Sequence, residues 1–243
     1  MKSSIYSLAI LCIMVACSPK PKNGEKDGNT KVDKKENAWI ILFDGTSMDQ
    51  WQGYNNNGEM YPSWTIEEGA MKFTPGEVGG QNIVTKSEFT DFVLSLEWKI
   101  SEGGNSGIFW GVFEDSTFNE AYQTGPEIQV LDNDRHPDAQ ANPKFHQAGA
   151  LYDMVQPTAD VCKPAGEWNK VQLKVNHKTN TGWVKLNGTK IVQFEPHGAE
   201  WDSLVANSKF ATWEGFGKYK TGKIGLQDHG DIVWYRNIKI KEL

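Results

Sequence analysis

Glu127 and Gln129 are the residues whose types and spacing point most directly to chemistry. They lie in Gly125-Pro126-Glu127-Ile128-Gln129-Val130-Leu131-Asp132-Asn133, a run with the alternation of a strand. Successive strand side chains point to opposite faces, so Glu127 and Gln129 share one face and Ile128 and Val130 the other. Two positions along a strand separate side chains by roughly 7 Å, at about 3.3 Å per residue. A carboxyl and an amide at that spacing suit a polar ligand the width of a sugar ring. An exposed strand face carrying ordinary polar residues has the same pattern, and the spacing alone leaves both readings open.

The elements that must position these groups are strands. Short or period-two apolar runs recur from Trp39–Phe43 to Ile232–Lys241, among them Phe92–Ile100, Gly107–Phe113, Gly149–Met154, Trp168–Asn176 and Thr181–Leu186. Turn signals separate them, including Gly103-Gly104-Asn105, His229-Gly230 and Asn187-Gly188, whose Asn-Gly pair accepts the positive φ angles of a hairpin turn. Trp201–Phe210 is the one segment that reads as a short helix. Many strands without a helical period predict an all-β antiparallel sandwich. Ten Trp, eleven Phe and seven Tyr must mostly pack its core. Trp51, Trp110, Trp213 and Trp234 are the positions at which a sugar-stacking platform is to be sought, with core packing the alternative for each.

The first 37 residues differ in kind from the rest. Lys2, an apolar run from Ile5 to Val15, and Ala16-Cys17-Ser18 have the order of an export signal ending in a lipobox, with Cys17 the lipidated residue. Residues 18–37 hold six Lys, four acidic residues and two Pro with almost nothing apolar, the composition of a flexible tether. Residues 1–17 are therefore expected to be a leader, 18–37 a tether and 38–243 the folded domain. Ser18, in place of an inner-membrane retention signal, favours a periplasm-facing anchor in the outer membrane. Cys12 and Cys17 fall in this leader, so Cys162 is left alone in the body and the fold must rest on its core without a disulfide.

The 206-residue body keeps 18 of the 25 basic and 27 of the 31 acidic residues, a net charge near −9. Such a balance excludes nucleic acid as a partner. Arg135 and Arg236 are its two arginines. Arg135 sits beside Asp132, Asn133, Asp134 and Asp138; it is a substrate-binding candidate or the neutraliser of that acidic loop. The loop's alternating oxygens could hold calcium, but it lacks the glycine and terminal Glu of an EF-hand, and Asx turns explain it as well.

Several segments in order carry a resemblance to a known family. They are Trp39-Ile40-Ile41-Leu42-Phe43-Asp44-Gly45, Asn105-Ser106-Gly107-Ile108, Glu127 through Asp132, Gly149-Ala150-Leu151-Tyr152-Asp153 and Pro164-Ala165-Gly166-Glu167-Trp168-Asn169. The Leu186-Asn187-Gly188 turn, Gly225-Leu226-Gln227-Asp228-His229-Gly230 and Trp234-Tyr235-Arg236-Asn237-Ile238 complete the set. Together they resemble the 3-keto-disaccharide hydrolase family over essentially all of residues 38–243. The resemblance implies a concanavalin A-like jelly roll and action on oxidised glycosides that carry a ketone at C3.

A C3 ketone acidifies the C2 hydrogen. Removing that proton expels the anomeric substituent by β-elimination, and water then adds at C1. The route needs a base near C2, a donor or cation at the C3 oxygen and an acid near the leaving group. Glu127 is the leading base, and with His146 a candidate ligand for a divalent metal ion. Gln129, Asp228, Asn105 and Trp110 are further substrate-binding candidates. His229 is a candidate acid, base or ligand, and His146 lies in a loop between two family segments; tight-turn geometry accounts equally for Asp228-His229-Gly230. The face Glu127, Gln129, Leu131 lacks two of the three carboxylates of laminarinase-type enzymes, which disfavours a conventional retaining glycosidase. A lectin-like, non-catalytic domain is the other reading.

Overall fold

The protein is described by a computed structural model that covers residues 38–243 apart from Val78, Asn142, Pro143 and the side chain of Ala141. The leader, the tether and Cys17 lie outside the described residues. Thirteen strands run through the described part: β1 (Ile40–Phe43), β2 (Trp51–Gly53), β3 (Trp64–Glu67), β4 (Ala70–Phe73), β5 (Ile83–Phe89), β6 (Phe92–Ile100), β7 (Asn105–Val112), β8 (Glu127–Leu131), β9 (Asn169–Asn176), β10 (Thr181–Leu186), β11 (Thr189–Phe194), β12 (Gly222–Leu226) and β13 (Val233–Glu242). All named pairings are antiparallel.

Eight strands form one sheet in the order β11-β10-β9-β6-β13-β4-β3, with β1 also on β13, and five form the other in the order β2-β5-β12-β7-β8. Alternation decides which side chains fill the space between them. On β7 and β8, Ile108, Trp110, Ile128 and Val130 join the main core with Leu94, Leu96 and Trp98 of β6 and Val171 and Leu173 of β9. The result is the antiparallel sandwich expected from the strand pattern, with the jelly-roll architecture that the family resemblance implies. One polar pin crosses it: the Ser106 hydroxyl lies 2.8 Å from the Tyr235 hydroxyl and donates to the Gln227 carbonyl at 2.7 Å, so β7, β12 and β13 are tied together beneath the site.

Two expected elements change. The helix α2 spans Ala199–Ala206 rather than Trp201–Phe210; it starts after Gly198, at φ 89°, and ends where the Asn207 amide turns back to the Ser203 carbonyl at 2.7 Å. Gly149–Met154 is a turn held by isolated bridges of Leu151 to Ile128 and Val155, not a strand. Gly149 and Asp153, at φ 85° and 59°, interrupt the extended backbone the apolar run suggested. A short helix α1 (Pro137–Ala141) lies within the acidic loop. Among the described residues no helix is long and apolar enough to cross a membrane.

Candidate active site

Glu127 and Gln129 face away from the main core, as their alternation with Ile128 and Val130 requires. They line a cleft of about 590 Å³ on the outer side of the five-stranded sheet, with Asn105, Asp228 and His229. That volume suits a ligand of sugar size. The register places Gly107 opposite Gln129 and Phe109 opposite Glu127. Gly107 has a specific use there, because a Cβ on it would collide with the Glu127 carboxyl. With its amide nitrogen turned to donate, Gln129 reaches Glu127 Oε1 at 3.0 Å and the Ser106 carbonyl at 3.1 Å. Gln129 thus holds the carboxyl in place.

Glu127 is 8% exposed and has no ion-pair partner among the described residues. Burial pushes its carboxyl up to about 8; the Lys209 ammonium pulls it down and the Asp138 carboxylate pushes it up, both more weakly. A carboxyl raised this far by burial in a cleft is a candidate functional group.

The acidic partners around it are engaged differently. Asp228 lines the cleft, yet accepts from the backbone N–H of Gln81 at 2.8 Å and of Gly230 at 3.0 Å, so it braces the turn that carries His229. His229 Nε2 lies 3.5 Å from the Asn105 amide and its ring meets His136 edge-on at 6.3 Å. Burial, with Asp228 adding repulsion, raises the Glu120 carboxyl in the same cleft, while the Asn82 amide donates to it at 2.6 Å.

His146 is not among the cleft-lining residues. Its ring stacks behind Tyr152 at 4.4 Å, and its two nitrogens lie 2.8 Å from Asp138 and 3.1 Å from Asp153. Tyr152 does line the cleft and donates to Asp138 at 3.0 Å, so His146 supports a cleft residue instead of touching a ligand. Glu127 and His146 therefore do not converge as metal ligands, and among the described residues no three His, Cys, Asp or Glu side chains do. This donor set does not fit a divalent ion, and no step below runs through one.

Trp110 is corrected to a core residue. It shares the parity of Ile108, points between the sheets and packs on Phe194 at 5.6 Å and Trp201 at 6.5 Å. Arg135 is corrected as well: it pairs with Asp132 at 3.3 Å and Glu102 at 3.7 Å and does not line the cleft. Asp132 also accepts from the backbone of Gly103 and Asp134, the Asx network that the loop composition allowed. Of the other aromatic candidates, Trp51 is core, Trp234 lies on the far sheet and Trp213 lines the cleft. Burial pushes the Cys162 thiol up to about 12, consistent with a structural thiol.

Residues the sequence did not single out complete the cleft. Tyr122 and Phe210 join Trp213 as an aromatic wall, with Tyr122 and Trp213 centred 5.8 Å apart and Phe210 and Trp213 5.0 Å apart. Lys209 stands over the Tyr152 ring at 4.1 Å. Gln227, 6% exposed, points a side-chain oxygen that accepts no hydrogen bond among the described residues. A buried acceptor without a donor calls for a partner such as an ordered water or a ligand hydroxyl. Gln227 directly follows β12 in a quoted family segment, the one signal that could have found it; the aromatic wall comes from loops distant in sequence.

A 3-keto-disaccharide hydrolase of Bacteroides thetaiotaomicron is 36% identical over 95% of this chain and 87% of its own length. A solved protein of Parabacteroides distasonis superposes with a TM-score of 0.75 at 29% identity, over 84% of this chain and 94% of that one. A Bacillus subtilis protein with a galectin-like fold, 11% identical with a TM-score of 0.52 over 85% and 96% of the two chains, shares the fold. The profile of the 3-keto-alpha-glucoside-1,2-lyase-like domain matches residues 38–241, and the chain belongs to that family.

Proposed function

We propose that this protein cleaves 3-keto-disaccharides and related 3-keto-glycosides, by elimination across C1 and C2 followed by hydration, with net hydrolysis as the outcome. The observation that carries the reading is Glu127: a buried carboxyl with no cation paired to it, at the base of a sugar-sized cleft, raised to about 8. The 3-keto-disaccharide hydrolase named above supports the substrate class.

In the proposed sequence the ionised Glu127 takes the C2 proton. The C–H electron pair passes into the C2–C3 bond as charge builds on the C3 oxygen. It then returns to form C1=C2 as the C1–O bond breaks, and the departing oxygen takes a proton from His229 at the cleft's edge. Lys209 supplies the positive charge for the C3 oxygen, and its field already reaches Glu127. The Glu127 carboxyl exchanges its proton with solvent once the leaving group has departed; water then adds at C1, giving its proton to His229, and Glu127 delivers the solvent-derived proton to C2. A base whose conjugate acid titrates near 8 is stronger than an ordinary carboxylate and suits an α-carbonyl proton. Gln129 holds Glu127, Gln227 takes a sugar hydroxyl, and Trp213 with Tyr122 offers a stacking wall.

The test is release of the second sugar from a 3-keto-disaccharide and from its unoxidised parent. Turnover of the keto form alone is expected. Equal turnover of the parent would assign a conventional glycosidase, and binding of plain glycans without turnover of either would assign a lectin.

The leader (1–17), with Cys17 carrying the lipid, and the tether (18–37) would hold the catalytic domain (38–243) at the outer membrane, facing the periplasm. Lys2, the apolar run and Ala16-Cys17 support this. Incorporation of labelled palmitate should vanish in Cys17→Ala.

A further inference from the structure

The sheet face opposite the cleft has a charge pattern at odds with the rest of the body. Five adjacent strands, β10, β9, β6, β13 and β4, point eight lysines and arginines outward, against Glu97, the terminal Glu242 and, on the neighbouring β3, Glu67 beside Lys72. The body as a whole is near −9. Registers bring these cations together: Trp234 pairs with both Lys99 and Lys72, and Arg236 with Glu97, which in turn pairs with Lys170.

Tryptophans are interleaved with them, and cations cover their rings. Lys99 stands 4.3 Å from the centre of Trp234 and 5.2 Å from that of Trp168, Arg236 3.9 Å from Trp168, and Lys239 5.0 Å from Trp39. A cation standing over one face of each ring competes with a sugar for that face. Cationic heads on indole stems are instead the composition of a membrane interface, where Trp and Lys sit at the level of anionic headgroups.

The chain itself leads to this face. Trp39, Ile40 and Ile41 are 38%, 40% and 52% exposed, and β1 pairs with β13. In the sequence, residues 18–37 separate this point from Cys17. We propose that the outer face of the eight-stranded sheet docks against an anionic phospholipid surface, which turns the cleft, on the opposite sheet, toward solvent. Its placement at a membrane rests on the lipid-anchor reading above; its affinity for anionic lipid does not.

The described residues pair their strands and close their core within one compact unit, so residues 38–243 can be tested without lipid. It should sediment with vesicles of phosphatidylglycerol and phosphatidylcholine at low salt, not with phosphatidylcholine alone, and be released by salt. The triple variant Lys99→Glu, Lys174→Glu, Lys239→Glu should partition at least tenfold more weakly, with turnover of soluble keto-sugar unchanged. The same charge change at Lys86, Lys218 and Lys220, away from this face, should have little effect. No binding to the anionic vesicles, equal loss in both triple variants, or retention on a carboxylated polysaccharide without vesicle binding would overturn the proposal. Palmitate labelling at Cys17 tests the anchor separately.

Discussion

Glu127 and Glu97 lie on opposite outer faces of the same sandwich, and their surroundings differ in every respect. Glu97, on the eight-stranded sheet, is half-buried and takes the Arg236 guanidinium at 2.8 Å; nearby Glu67 takes Lys72 at 2.9 Å and the Trp234 indole N–H at 3.1 Å. Glu127, on the five-stranded sheet, is almost fully buried, held by a neutral amide and raised to about 8. A screened, paired surface charge contributes little to stability and little chemistry. A buried carboxyl without a cation destabilises the folded state when ionised, and such groups persist where a reaction uses them. Within one fold, the unpaired group is the one the proposed reaction uses, and the paired ones lie on a surface.

The sharpest way to break this contrast is Glu127→Gln. Turnover of a 3-keto-disaccharide should fall about 10³-fold, within the range of general-base effects. The folded chain holds the Glu127 proton up to about 8, whereas the unfolded chain releases it in the ordinary carboxylate range. Wild type should therefore lose stability relative to the variant as pH rises from about 5 to about 8, a trend that thermal melts at several pH values would record. Over the same window kcat/KM of the wild type should rise as Glu127 ionises, and fall again once the general acid has lost its proton.

Gly107→Ala should come next. Displacing the Glu127 carboxyl should lower kcat/KM tenfold or more, and the overpacking should cost about 1–3 kcal/mol in urea unfolding. Trp213→Ala should raise KM about threefold to tenfold with kcat little changed, as expected for a stacking wall beside the reacting atoms. Trp234→Ala, on the opposite face, should leave turnover within about twofold and cost no more than about 1 kcal/mol. If Trp234→Ala impaired catalysis as much as Trp213→Ala, the division between the two faces would fail.

How far the sequence could be read follows from these same residues. Alternation alone put Glu127 and Gln129 on one face, and the strand and turn pattern sufficed for the sandwich. The same parity, extended across the β7–β8 register, sends Trp110 inward with Ile108 and turns Gly107 toward Glu127. Composition offered Trp110 as a candidate platform, with core packing the better reading, because a list of aromatics has no facing. His146 looked like a site residue by position, but its two aspartate contacts depend on the turn at Asp153, which also accepts from the Lys209 backbone at 2.7 Å. Lys209, Trp213 and Tyr122 reach the cleft from loops whose paths only the tertiary fold sets. The unpartnered oxygen of Gln227 is likewise invisible before its neighbours are known.

The most direct measurement follows C2 of the sugar through turnover in D₂O. Elimination and hydration, with Glu127 as base, predict that 3-keto sugar released in the first turnovers carries deuterium at C2, well ahead of uncatalysed exchange. Release of product that retains its original C2 hydrogen would contradict that account.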